Sequence, residues 1–292
     1  MRYRVTHRTT YTYDQPVTDS LGLAHLVPRA VPWQEVTDTR VDLQPGASDA
    51  ALDEDYYGNT VSYFQVTEEH TELQITATSS VTVTTPTYDA EALARPWEQA
   101  RVLGVTTPPD AWLATDFALP SSQVEHVPAA REYAAASLVA GRPIGEAVTD
   151  LVSRIHADFT YDKTATTVTS TVAHVLEARA GVCQDFAHLA LACLRSHGLA
   201  ARYVSGYLAT VPPPGQERLV GADASHAWIA VRLPGLDEWL AVDPTNDQWA
   251  DDRYVTVAWG RDYADVPPVK GVIFTDARKS TLQVSVDVAP VG

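Results

Sequence analysis

Three side chains in the second half of the sequence are of the types that carry out nucleophilic acyl transfer. Cys183 lies in Arg179-Ala-Gly-Val-Cys-Gln-Asp-Phe-Ala-His188, His226 in Ala224-Ser-His-Ala-Trp228, and Asp243 in Trp239-Leu-Ala-Val-Asp-Pro-Thr245. A thiol needs a base to become a nucleophile, and the base needs an acceptor that fixes its tautomer. Cysteine, histidine and aspartate, in that order along the chain, can fill all three roles. The chemistry they would support is thiolate attack on a carbonyl carbon, with the imidazole protonating the leaving amine.

The elements that must hold these side chains can be read from the residues around them. Cys183 opens an alanine-rich apolar run through Leu189, Leu191 and Leu194, which closes at His197-Gly198, where glycine suits a helix C-cap. Cys183 then sits in the first helical turn, where unpaired backbone N–H groups and the helix dipole favour an anion. Such a position lowers a thiol pKa, and a nearby imidazolium lowers it further. A buried structural cysteine is the alternative, because free cysteine is among the most buried residue types. Gln184 either donates a hydrogen bond towards substrate or packs at the helix start. Asp185 is either polar support for the nucleophile or an acid drawn to the first turn by the dipole.

Residues 226–233 and 239–243 read as strands, with Pro234-Gly235 as turn chemistry between them. A symmetric antiparallel hairpin centred on that turn sets His226 directly opposite Asp243, with Cβ atoms roughly 5 Å apart. The same register faces Trp228 to Ala241 and Ala230 to Trp239, all on one side of the sheet. Trp228 and Trp239 then flank the pair, and either shield it from water or simply pack the sheet. The backbone N–H of Cys183 offers one oxyanion donor. Tyr161, in Phe159-Thr-Tyr161, is a second donor or else a half-buried packing tyrosine.

Upstream, residues 3–13, 36–45, 60–68 and 71–85 alternate apolar with polar and are rich in Thr, Val and Tyr, which predicts an antiparallel β module. Residues 86–127, with Pro86, Pro96, Pro108-Pro109 and Pro120, read as a connection with short helices. Helices are expected from Pro128 and from Pro143 to His156, then an irregular polar stretch over Thr164–Thr171. Strands resume at 201–208, 226–233, 239–243, 254–258 and 281–288. The fold class is α+β: helices on an antiparallel sheet, preceded by the β module. The units are 1–90 (β module), 91–127 (connection) and 128–292 (catalytic core with C-terminal strands). His174 and His188 read as helix-surface or packing residues. Arg261 and Asp262 read as a tail anchor through a bidentate ion pair, or as part of the substrate cleft.

Four stretches carry a resemblance: Gly181-Val-Cys-Gln-Asp-Phe-Ala-His188, Ala201-Arg-Tyr-Val-Ser-Gly-Tyr207, Ala224-Ser-His-Ala-Trp228 and Asp243-Pro-Thr-Asn246. A fifth, Gly260-Arg-Asp-Tyr-Ala-Asp-Val-Pro-Pro268, extends it almost to the C-terminus, and Tyr57-Gly-Asn59 extends it upstream. With these the chain resembles the bacterial transglutaminase-like superfamily, in the branch with a β-rich N-terminal region. The resemblance implies a papain-like core, with Cys183 as nucleophile, His226 as base and Asp243 as the orienting acid. Animal transglutaminases carry Gly-Gln-Cys-Trp-Val-Phe-Ala around the nucleophile, and only the flanking Gly, Cys, Phe and Ala agree here. Papain-like proteases place an oxyanion-stabilising Gln six residues before the nucleophile; the residue here is Glu177, which cannot donate when ionised.

Composition sets further bounds. The 292 residues are enough for a substantial core, and no apolar run approaches the roughly 18 residues of a spanning helix. Met1-Arg-Tyr-Arg-Val-Thr-His-Arg8 is followed by no apolar segment of the signal-peptide kind. With 21 Lys and Arg against 37 Asp and Glu, the net charge of −16 argues against nucleic acid or an anionic membrane as a partner. Two cysteines make no disulfide framework, and a reducing cytoplasm is the expected setting. Cys193 and His197 are spaced like half a zinc site with no second pair, so neither metal nor cofactor is expected. The expected function is thiol-dependent acyl transfer on a peptide or protein amide. With water as acceptor it is a peptidase or amidase; with an amine it is a transglutaminase-type transfer. A non-catalytic binding scaffold is the reading from another class. Loops 209–224 and 244–253 are expected to line the cleft.

Overall fold

The computed structural model describes residues 1–102, 112–210, 225–235 and 237–291. The chain begins with β1 (Arg2–Ala24), whose inward positions Tyr3, Val5, His7 and Thr9 are buried while Arg2, Arg4 and Arg8 face out. This period of two commits one face of the strand to a core. β2 (Gln34–Gln44), β3 (Asp49–Glu54), β4 (Thr60–Val66) and β5 (His70–Val83) follow, and the sheet order is β2-β5-β1-β4-β3. β5 pairs with the first half of β1 and β4 with its last five residues.

The connection holds α1 (Ala90–Ala94), a 3₁₀ turn at Trp97–Ala100 and α2 (Trp112–Asp116). Four more helices follow: α3 (Pro128–Ala135), α4 (Ile144–Asp158), α5 (Val172–Ala178) and α6 (Cys183–Arg195). Every residue of α6 after Cys183 is buried, because α3, α4 and α5 pack around it on one side and a sheet on the other. Two short strands, β6 (Thr160–Tyr161) and β7 (Ala180–Gly181), pair in parallel immediately before α6 and tie Tyr161 to Gly181.

The second sheet comprises β8 (Ala201–Leu208), β9 (Ser225–Arg232), β10 (Trp239–Asp243), β11 (Gln248–Trp249) and β12 (Tyr254–Gly260). Its order is β11-β10-β9-β8-β12 and all pairs are antiparallel. One face, with Ala227, Ile229, Val231, Leu240 and Val242, joins the core around α6; the other gathers Val204, Trp228, Ala230, Ala241 and Tyr254.

The C-terminal strands differ from expectation. β14 (Ser280–Pro290), expected at 281–288 within the 128–292 unit, and β13 (Val269–Thr275), where no strand was expected, pair with β1 instead and complete a seven-stranded N-terminal sheet. β1 is long enough to take β4 and β5 as one set of partners and β13 and β14 as another. A strand this long would otherwise leave a row of backbone donors and acceptors unpaired. The sheets are not separate bodies: Tyr3, Val5, Val81, Val83, Val286 and Val288 belong to the same buried cluster as α4, α6, β8 and β9. Among the described residues, no helix is long and apolar enough to cross a membrane.

Side-chain amides of the N-terminal sheet clamp the edge strand β12. Gln34 donates to the Thr256 carbonyl at 2.7 Å and accepts from the Thr256 N–H at 2.9 Å. Asn59 does the same to Trp259, at 2.9 Å in each direction. Each amide imitates one rung of a β-ladder, so an edge that would face solvent is paired.

Gly206 on β8 shows how tightly the second sheet is packed. It stands opposite His226, and a Cβ there would lie 2.1 Å from the Val255 carbonyl oxygen and 2.5 Å from the Trp228 ring. Backbone cannot yield as a flexible side chain can. Gly206→Ala is therefore expected to cost about 2–3 kcal/mol or more by overpacking, read as a lowered denaturant midpoint with an unchanged slope.

Candidate active site

Cys183 is the first residue of α6 and is half-buried. Asp185, three residues past the N-cap, accepts the Val182 backbone N–H at 2.8 Å and the Thr166 hydroxyl at 2.6 Å. The carboxylate thus satisfies one of the orphan donors of the first turn and holds that turn rigid. Gly181 is required beside it, since a Cβ would come within 2.8 Å of the Asp185 oxygen. Gln184 spends its amide on the Val168 carbonyl at 3.0 Å, so it packs at the helix start and fastens the 164–171 stretch there.

His226 begins β9 and Asp243 ends β10, and His226 Nε2 meets Asp243 Oδ2 at 2.7 Å. The route to this contact differs from expectation. The hairpin pairs Ala230 with Ala241 and Arg232 with Trp239, a register displaced by two positions from one centred on Pro234-Gly235. The loop closes one residue later, through a Leu233 N–H bond to the Glu238 carbonyl at 2.8 Å. Continued to its end, this register sets Asp243 level with Trp228, so His226 and Asp243 meet on the diagonal. A slip of two leaves both side chains on the same face, whereas a slip of one would have separated them.

Asp243 is 0% exposed, and its carboxylate is surrounded by donors. Oδ1 accepts the backbone N–H groups of Thr245 at 2.8 Å and Asn246 at 3.3 Å. Oδ2 accepts the Asn246 amide at 2.6 Å and the Tyr254 hydroxyl at 2.7 Å, besides His226. Burial alone would push this carboxyl upwards; the bonds from His226, Asn246 and Tyr254 outweigh it and hold the group below its ordinary range. For His226, burial disfavours the imidazolium, but hydrogen bonds with Asp243 and Cys183 and their charges override it and raise the pKa to about 10. With Nε2 on Asp243, Nδ1 is the nitrogen left for the sulfur.

The raised value has a consequence for stability. A folded-state pKa above the unfolded value of about 6.5 means that the imidazolium stabilises the fold fully below that pH. The contribution is lost as pH rises through about 10. The melting temperature of the wild type minus that of His226→Gln should therefore fall steadily between those limits. A pH-independent difference would show that His226 is not held as a cation.

The remaining expected residues sort clearly. Trp228 lies against the pair, its ring 6.1 Å from that of His226 and 5.2 Å from that of Tyr254. Trp239 does not flank the site: it is four residues from Asp243, roughly 13 Å along the strand, and packs on Phe117 and Arg202. Tyr161 is 49% exposed, and burial together with the Cys183 charge raises its pKa. It lines an open cleft of about 340 Å³ together with Leu208, Thr210, His226, Thr245 and Asn246. Of the expected cleft loop 209–224, residues 211–224 lie outside the described residues. His174 is exposed, whereas His188 is buried, accepts the Tyr263 N–H at 3.2 Å and is held by burial at a pKa of about 4. The bidentate partner of Arg261 is Asp265 rather than Asp262, which instead accepts the Gln123 N–H. Among the described residues, no group of three or more His, Cys, Asp or Glu could hold a metal ion.

Sequence reasoning did not give Asn246 or Tyr254 a role. Asn246 was legible in principle: it is three residues past Asp243 across a proline, where a carboxylate can accept from the turn that follows it. Tyr254 carries no such signal, because its reach depends on β11 and the turn that leads into β12.

An α+β core of papain-like type, helices packed on an antiparallel sheet and preceded by a β-rich module, defines the class to which this fold belongs. Residues 3–82 match the bacterial transglutaminase-like N-terminal region and residues 132–244 the transglutaminase-like superfamily. The chain belongs to that superfamily. An uncharacterized protein of Mycobacterium tuberculosis is 51% identical, over 99% of this chain and 93% of the relative. One from Mycobacterium leprae is 35% identical, over 93% of this chain and 92% of the relative. In three dimensions the chain is similar to a candidate cysteine protease from Cytophaga hutchinsonii, with a TM-score of 0.73 and 17% identity, covering 99% of this chain and 97% of that one.

Proposed function

We propose that this protein is a thiol-dependent acyl-transfer enzyme acting on a peptide or protein amide, with Cys183 as nucleophile, His226 as base and acid, and Asp243 as the orienting carboxylate. The observation that carries the reading is the 2.7 Å bond from His226 to a fully buried Asp243, made through Nε2. A carboxylate is kept in the interior only where it is paired, and here its partner is an imidazole whose cationic form Asp243 and Cys183 both favour.

In the first half-reaction the sulfur forms a bond to the carbonyl carbon, the C–N bond breaks, and the His226 proton passes to the departing amine. In the second, His226 takes a proton from water, the oxygen forms a bond to carbon, and the thioester C–S bond breaks. The oxyanion would be met by the Cys183 N–H at the helix start, where no intrahelical partner exists. Tyr161, in the cleft and near the sulfur, is the second donor in this reading. Trp228 would shield the base from solvent. Water is the acceptor we favour, since it needs no second pocket. The two free cysteines suit a reducing compartment, and we propose the cytoplasm.

The test is a screen of peptide amides, with and without added amines, against wild type and Cys183→Ala, followed by intact mass. A thioester adduct on wild type alone supports the reading. Release of free acid identifies hydrolysis, and an amine-linked product identifies transfer. Turnover that survives in Cys183→Ala removes the thiol from the mechanism.

A further inference from the structure

The proposed chemistry accounts for Cys183, His226 and Asp243, but not for the polar chain behind the carboxylate. The Tyr254 hydroxyl donates to Asp243 Oδ2 at 2.7 Å and accepts from the Gln248 amide at 2.5 Å. Gln248 in turn accepts from the Arg253 guanidinium at 3.0 Å, and Arg253 is clamped on Asp251 by bonds of 2.6 to 3.0 Å. Tyr254 is buried, with its ring against Trp228 and near His226. A buried phenol needs a partner, but a neutral one would do. This one is aimed at the lone pairs that His226 also uses.

The strand that carries Tyr254 is itself fixed from outside. Two residues along β12, Thr256 is held in both directions by the Gln34 amide, and Trp259 is held likewise by Asn59. Gln34 is almost wholly buried and also donates to the Arg29 carbonyl at 2.7 Å, so it has no freedom to let the strand slide. The N-terminal sheet therefore sets the height of Tyr254 relative to Asp243.

We infer that Tyr254 is a positioning residue for the proposed reaction: it locks the Asp243 carboxylate towards His226, and the N-terminal sheet acts on the active site through it. This rests on the acyl-transfer reading above. Three donors, from His226, Asn246 and Tyr254, converge on Oδ2. Each fixes the carboxylate rotation, and each favours the ionised form. Removing the phenol leaves Asp243 with fewer donors, so its proton is retained to higher pH. It also frees the carboxylate to rotate away from the imidazole. Removing the hydrogen-bond partner that orients a metal-ligating histidine or carboxylate typically changes affinity or activity by about 10- to 100-fold, and an effect of that order is expected here.

The experiment follows the rate of Cys183 alkylation by iodoacetamide from pH 3 to 9, with melting temperature, in wild type and Tyr254→Phe. Buried Cys193 should stay silent in the folded protein. The expected result is a rate about tenfold lower at neutral pH, with the acid limb displaced to higher pH. A tyrosine that merely packed would lower the melting temperature and leave the acid limb where it is. Should Tyr254→Phe fail to fold, Gln248→Leu, which removes the bond onto the phenol together with the acceptor for Arg253 while leaving the phenol on Asp243, should move the limb in the same direction by less. An unmoved limb in whichever variant folds overturns the inference while leaving the acyl-transfer reading intact. If wild-type Cys183 itself reacts as an ordinary thiol, both fall.

Discussion

Cys183→Ala is expected to abolish acyl transfer and thioester formation entirely while leaving the fold unchanged. The sulfur sits at the start of a helix whose remaining residues are all buried and whose first turn is fixed by Asp185, Thr166 and Gln184. None of those contacts uses the thiol. The cost to stability should thus be small, within about 1 kcal/mol for a half-buried side chain of similar size. On the proposed mechanism activity should vanish with the thiol that forms the acyl intermediate. Cys193 is ten residues further along, fully buried, and pushed by burial to a pKa of about 12, so it cannot substitute. Circular dichroism and intact mass after incubation with substrate check the two halves of this expectation.

Asp243→Asn should reduce acylation by roughly 10²- to 10⁴-fold, the upper bound being the cost of the same change in a serine protease. The amide keeps the shape of the carboxylate but can present N–H to His226 Nε2, which favours the wrong tautomer. Five donors converge on Asp243, so one amide nitrogen must then face donors it cannot satisfy. A stability loss of about 1–3 kcal/mol is expected as well. The two effects separate when the alkylation rate is taken per folded molecule. An unchanged rate in folded Asp243→Asn would make the residue a turn cap at Thr245 and nothing more.

The pairing of His226 with Asp243 was legible because strand side chains alternate. Any antiparallel hairpin with an even displacement leaves both on one face, so an error of two in the register did no harm. The register itself was not legible, because closure at Leu233 and Glu238 is decided by the turn backbone rather than by the Pro-Gly signal. The partners of β13 and β14 were hidden for a different reason. Strand pairing between the two ends of the chain depends on which edge of β1 is left open, and local pattern carries no information about edges. β3 was missed because its alternation faces solvent throughout, without a buried side to mark it. Around the nucleophile, Asp185 and Gln184 were recognised as polar neighbours, and their partners Thr166 and Val168 became visible only once the 164–171 stretch was folded against them.

The most direct measurement is the second-order rate of Cys183 with iodoacetamide at neutral pH, compared with a free thiol of ordinary pKa near 8.5 and with His226→Gln. A cysteine activated by an imidazolium is expected to react well above the free-thiol rate and to lose that advantage in His226→Gln. A wild-type rate no higher than that of the free thiol, unchanged by the substitution, would contradict the assignment of Cys183 as a nucleophile.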